Sequence, residues 1–147
     1  MERISRDKFY MSLAETYSLR SNCISRKVGC IIVKNDKPVS FGYNGTPRNT
    51  PNCAENGCKR CNSNLSPGES LNTCRCLHAE LNALLFGDYE ILQGSLLYCT
   101  LSPCLACCNA IIQCGIKVVY YKQNYTESDQ ANIEYLQTSG VIVKQIL

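Results

Sequence analysis

Apolar residues recur every fourth position early in the chain: Phe9, Leu13 and Tyr17, with Tyr10 and Ala14 beside them. That period predicts an amphipathic helix over 5–22 that buries this face. The period then shortens. Residues 28–34 (VGCIIVK) and 38–43 (PVSFGY) are short runs rich in branched and aromatic side chains, and Lys34-Asn35-Asp36-Lys37 between them has hairpin-turn composition. From Asn44 to Arg75 no period survives, and Gly, Pro, Asn, Ser and Cys dominate. A loop of that length inside a compact domain is usually functional or held by something other than a core. Regularity returns with a helix over 78–86 that stops at Gly87. A strand over 96–100, a helix over 104–113, a strand over 117–121, a helix over 127–138 ending near Gly140 and a strand over 141–146 follow.

The predicted order is α-ββ-α-β-α-β-α-β. A hairpin followed by strands alternating with helices implies an α/β fold: three layers, α-β-α, around a five-stranded mixed sheet, with sites at strand ends or helix N-termini. No repeat or second unit interrupts it, so 1–147 reads as one domain carrying a Cys-rich insertion over about 44–76.

Composition narrows the classes. At 45% hydrophobic and 18% charged residues the chain is an ordinary globule rather than a disordered segment. A net charge of +3 suits an anionic small molecule in a local pocket and gives no broad basic surface for duplex nucleic acid. The charged start, MERISRDKFYMSL, is unlike a secretory signal, and no apolar run approaches the ~18 residues of a membrane span. The expected location is therefore cytoplasmic and reducing, where twelve cysteines point to metal binding or catalysis more than to disulfides.

Two short segments carry the candidate chemistry: CLHAE (76–80), with the chain's single histidine, and SPCLACC (102–108). Each falls at the start of a predicted helix. His78 and Glu80 are about 200° apart around a helix, so they share a direction only when they stand in the first turn. Cys104 and Cys107, at i and i+3, share a face, and Pro103 suits a helix start. One imidazole and two thiolates form a tetrahedral zinc set with a fourth position open to water, the arrangement of catalytic rather than structural zinc. Alone, the Cys-x-x-Cys pair is equally compatible with a redox pair or half of a structural knuckle. The conjunction with His-x-Glu is what makes the reading specific.

His-x-Glu followed by Pro-Cys-x-x-Cys resembles the signature of zinc-dependent nucleobase deaminases. KVGCIIVKN, GYNGTP, HAELNALL, LYCTLSPCLAC and GIKVVYY extend the resemblance over nearly the whole chain. They are similar to the deoxycytidylate (dCMP) deaminases, in the compact form of fungi and large DNA viruses. The resemblance implies a cytidine deaminase-like fold and hydrolysis of a deoxycytidine nucleotide, dCMP to dUMP and ammonia with dCTP as a second possible substrate, feeding thymidylate synthesis. It implies zinc held by His78, Cys104 and Cys107, with Glu80 as the proton shuttle. It also implies sugar recognition at Asn44, phosphate at Arg26 and Lys27, pyrimidine recognition around Ala79 and Leu101–Ser102, and stacking or phosphate contacts from Tyr121 and Tyr125. A hexamer regulated by dCTP and dTTP is the family's common assembly, with effectors near Gly42, Tyr43 and Gly45. A deaminase of nucleic-acid bases or free nucleosides, and a non-enzymatic zinc module, are the alternatives.

The insertion carries Cys53, Cys58, Cys61, Cys74 and Cys76. A second, structural zinc on 53, 58 and 61 with either 74 or 76 explains how aperiodic residues hold a shape. Cys30 and Cys99 read as small apolar fillers in strands. For Cys23, Cys108 and Cys114 the sequence assigns no role.

Overall fold

The structure, a computed structural model, describes residues 1–126 and 129–147, with Leu71 described by its backbone only. Helix α1 (Arg6–Ser18) starts at Ser5, whose hydroxyl accepts the Lys8 N–H. Strands β1 (Gly29–Lys34) and β2 (Lys37–Tyr43) form an antiparallel hairpin. Asn35 and Asp36, at φ 51° and 60°, give the pair of left-handed residues that a tight hairpin turn needs. After the insertion come α2 (Ala79–Leu85), α3 (Tyr89–Leu92), β3 (Leu96–Leu101), α4 (Leu105–Gln113), β4 (Val118–Gln123), α5 (Asp129–Thr138) and β5 (Ile142–Gln145). The predicted start of the last helix at Glu127 lies outside the described residues.

One five-stranded sheet has the order β2-β1-β3-β4-β5. β1 is antiparallel to both neighbours, while β3, β4 and β5 run parallel. Side chains alternate between its faces. Cys30, Ile32, Leu97, Cys99 and Val119 pack under α2, α4 and α5, against Ala83, Ile111 and Leu136. Ile31, Val33, Tyr98, Val118 and Tyr120 pack on α1, against Tyr10, Met11 and Ala14. The mixed, three-layer α/β architecture expected from the element order is the one observed.

Two expectations need correction. The buried face of α1 is Tyr10, Met11 and Ala14; Phe9 is 46% exposed, and Leu13 and Tyr17 are half-buried. The four-residue helix α3 has no counterpart in the predicted order, because one turn has no period to read. Asp88 caps it, accepting the N–H groups of Glu90 and Ile91.

The insertion is closed at its neck. Gly45 and Leu77 exchange two backbone hydrogen bonds, of 3.1 and 2.7 Å, as an isolated antiparallel bridge. The chain that leaves β2 therefore returns directly to the start of α2. Within the insertion, two short 3-10 turns (Cys53–Glu55 and Leu71–Thr73) are the regular structure among the described residues.

Candidate active site and metal centre

His78 and Cys104 are the N-cap residues of α2 and α4, both in extended backbone conformation. A cap residue's side chain projects off the helix end, so two helix starts side by side can aim at one point. Here they do: His78 Nδ1 lies 3.3 Å from Cys104 Sγ and 3.4 Å from Cys107 Sγ. Zinc bonds of about 2.3 Å to sulfur and about 2.0–2.1 Å to nitrogen put tetrahedral N···S edges near 3.5 Å. The three atoms fit one zinc ion.

The charges of this donor set point the same way. Cys104 is pulled down to about 4, chiefly by its hydrogen bond with Cys107 and then by His78. The same Cys104 contact pushes Cys107 up, and burial adds to it. His78 is raised, first by Cys104. A dication between them would favour the thiolate form of both sulfurs.

Glu80, in the first turn of α2, is 4% exposed and lines the same cavity as His78 and Cys104. It stands outside the ligand triad. Burial pushes its carboxyl pKa up, and the nearby His78 opposes the shift. A buried carboxyl beside an open-sided metal set is suited to accepting and returning a proton.

These groups line a cavity of 620 Å³, within the range of nucleotide-sized ligand sites. Asn44, Arg26, Ala79 and Ser102 line it, as do Leu101 and Tyr125. Asn44 Oδ1 accepts from Ser21 Oγ and the Val28 N–H, and its Nδ2 donates to the Arg26 carbonyl. These bonds fix its amide at the rim. The Arg26 guanidinium stacks on Tyr125, 4.3 Å from the ring centroid. Ser102 Oγ and the Tyr125 N–H both donate to the Asp129 carboxylate, which also accepts the Thr126 N–H at 3.0 Å. Asp129 thus ties Tyr125 and Thr126, just after β4, to Ser102 at the cavity.

Two expected substrate residues lie elsewhere. Tyr121 is buried in β4, paired in register with Cys99 and Gln145, and does not line the cavity. The aromatic there is Tyr125. Lys27 faces a neighbouring recess with Glu15 and Lys122. Of the expected effector residues, Gly42 serves packing: a Cβ there would sit 2.2 Å from the Ala79 carbonyl of α2. The Tyr43 carbonyl accepts from Asn82, which ties α2 to β2, and Gly45 closes the neck. None of the three lines the cavity.

Arg60, to which the sequence assigns no role, is 8% exposed and lines the cavity from the insertion. Its place between Cys58 and Cys61 was the available signal. The grouping of the insertion cysteines also differs from expectation. Cys53, Cys58, Cys61 and Cys76 do not form one quartet; Cys53 falls with Cys23, Cys61 and Cys76, and Cys58 with Cys61, Cys74 and Cys76. Cys23, without a role in the sequence reading, belongs to this group.

Comparison with known proteins agrees with this chemistry. Residues 4–123 match the cytidine and deoxycytidylate deaminase zinc-binding region. Deoxycytidylate deaminase of Schizosaccharomyces pombe is 45% identical over 99% of this chain but 45% of its own length. The chain therefore spans about half the length of that fungal relative. Deoxycytidylate deaminase of Mycobacterium phage D29 is 39% identical, over 84% of this chain and 100% of the phage protein. A crystal structure of dCMP deaminase from the cyanophage S-TIM5, in complex with dCMP and dUMP, is similar with a TM-score of 0.75. It is 35% identical, covering 99% of this chain and 100% of that chain. With the family's region matched from the first helix to the fourth strand, the chain belongs to the cytidine and deoxycytidylate deaminase family.

Proposed function

We propose that this domain hydrolyses the 4-amino group of dCMP, consuming one water and giving dUMP and ammonia. The observation that carries the proposal is Glu80, buried but unligated, beside the open-sided triad of His78, Cys104 and Cys107. Those three would hold zinc, which would supply Lewis acidity toward a bound water. Glu80 accepts the water's first proton and passes it to ring N3; it then takes the second proton from the hydroxyl added at C4 and delivers it to the departing amine. Around it, Asn44 offers its remaining amide hydrogen to the sugar. Arg26, held on Tyr125, faces the phosphate, and the Ala79 and Leu101–Ser102 backbone faces the pyrimidine.

The reading extends to structural zinc in the Cys-rich insertion and to a homo-oligomer, a hexamer by family resemblance. Leu85, Phe86 and Tyr89, each more than 60% exposed around the end of α2, support a self-association surface. Regulation by dCTP and dTTP around Gly42, Tyr43 and Gly45 belongs to the same proposal, as does a cytoplasmic setting, which twelve free thiols suit. Among the described residues no helix is long and apolar enough to cross a membrane.

Ammonia release from dCMP, dCTP, CMP and deoxycytidine, measured side by side, tests the substrate. The proposal expects the highest kcat/KM with dCMP. Preference for deoxycytidine would overturn the phosphate assignment, and no turnover of any of the four would overturn the activity.

A further inference from the structure

Cys23, Cys53, Cys58, Cys61, Cys74 and Cys76 form a small core of their own in which, among the described residues, the apolar side chains are all cysteine. A buried cluster of thiols alone has little apolar area with which to hold a loop. Their spacing is informative. Cys23 and Cys61 sulfurs are 3.9 Å apart, and Cys58–Cys74 and Cys61–Cys74 are each 3.8 Å apart. Disulfides need about 2.05 Å. A zinc tetrahedron with bonds of about 2.3 Å to sulfur has edges near 3.8 Å.

The sulfurs assemble as two quartets, each with all its atoms within 4.8 Å: Cys23, Cys53, Cys61, Cys76, and Cys58, Cys61, Cys74, Cys76. Cys61 and Cys76 belong to both. One ion in the first quartet would strand Cys58 and Cys74; one in the second would strand Cys23 and Cys53. Two separate four-thiolate ions would need eight sulfurs, and the quartets supply six. We propose that the insertion holds a binuclear zinc cluster in which Cys61 and Cys76 bridge two four-coordinate ions. Cys23 and Cys53 complete one ion, and Cys58 and Cys74 complete the other. This goes beyond the structural zinc proposed above in both stoichiometry and ligands, and it does not depend on deamination.

The surroundings answer the cluster's charge. Two dications and six thiolates sum to −2, a charge that needs donors close by. The Arg75 N–H donates to Cys58 Sγ at 3.2 Å. The buried Arg60, next to Cys61 in the chain, brings a positive charge to the same loop, its guanidinium donating to the Glu69 and Ser66 carbonyls. The cluster also reaches the active site. Cys23, Cys61, Cys74 and Cys76 line the cavity, and Cys76 stands two residues before His78. Arg60 is next to Cys61, and Arg26 is three residues after Cys23. The cluster thereby anchors both cavity arginines.

Zinc per chain, measured by mass spectrometry of the purified protein, and 113Cd NMR of the cadmium-exchanged protein test this. Three zinc ions per chain are expected, and two in the His78→Ala/Cys104→Ser double variant, which lacks two catalytic-centre ligands. Cadmium should show two cluster resonances split by scalar coupling through the shared sulfurs. Cys58→Ser/Cys74→Ser should lose one ion and that splitting. Retention of one ion or none in the His78→Ala/Cys104→Ser variant would overturn the proposal, as would two uncoupled cluster signals. If that variant does not fold, the wild-type protein decides: three cadmium signals with two coupled support the cluster, and two ions or uncoupled signals refute it. Failure of dCMP turnover changes none of these counts, so the two proposals fail separately.

Discussion

Glu80 and Arg26 show how much a single side chain is asked to do. Glu80→Gln keeps the shape and removes the proton-carrying function proposed for this residue. It is expected to retain metal at His78, Cys104 and Cys107 while kcat falls about 10²–10⁴-fold, the usual contribution of general acid–base catalysis. Steady-state kinetics alongside metal analysis checks this, and near-normal kcat would remove Glu80 from the mechanism. Arg26→Ala should lower kcat/KM for dCMP about 10–100-fold, the scale of a hydrogen bond to a charged group, and leave deoxycytidine little changed. At this scale the metal triad was legible in the sequence, because one histidine and a Cys-x-x-Cys pair at helix starts leave few other arrangements. The cavity's outer wall was less so. Tyr121 and Tyr125 are both aromatics near the end of a strand, and strand register decides which faces the cavity. Arg60 sits in aperiodic chain, where spacing gives no direction for a side chain.

The elements derive their positions from close backbone contacts as much as from apolar faces. β2 touches α2 where Gly42 meets the Ala79 carbonyl, at the residue before Glu80. Gly42→Ala has to push that helix start away, and overpacking of this kind costs about 1–3 kcal/mol. Denaturant unfolding should show the loss as a lower midpoint; an unchanged midpoint would mean the contact is slack. Strand and helix order was readable because hydrophobic period separates two-residue from four-residue repeats in all the long segments. The face of α1 was misread for a physical reason. Tyr10 donates its hydroxyl to Asp36 and packs at a tilt against Tyr98, so a polar-tipped ring takes the buried position ahead of Phe9. The single-turn α3 offers no period at all.

Across the whole molecule the sheet supplies a rigid floor, and the insertion, closed at Gly45–Leu77, supplies the roof of the cavity. The floor has two apolar cores; the roof has a cysteine core. Its order should therefore depend on metal, since ligation supplies folding energy where apolar burial does not. After exhaustive chelation, limited proteolysis is expected to cut within residues 46–76 first, while the segments on either side stay protected. Equal protection with and without metal would show that the insertion holds itself. The sequence marked this region as needing a staple, but which sulfurs meet is a property of the folded loop, and Cys23 enters from outside it.

The most direct test of the account is the rate of ammonia release from dCMP by the zinc-loaded protein, compared with its Glu80→Gln variant. One dUMP and one ammonia per dCMP consumed are expected from the wild-type protein, and turnover at least a hundredfold slower from the variant at equal zinc content. Wild-type protein that carries zinc and leaves dCMP unchanged would contradict it.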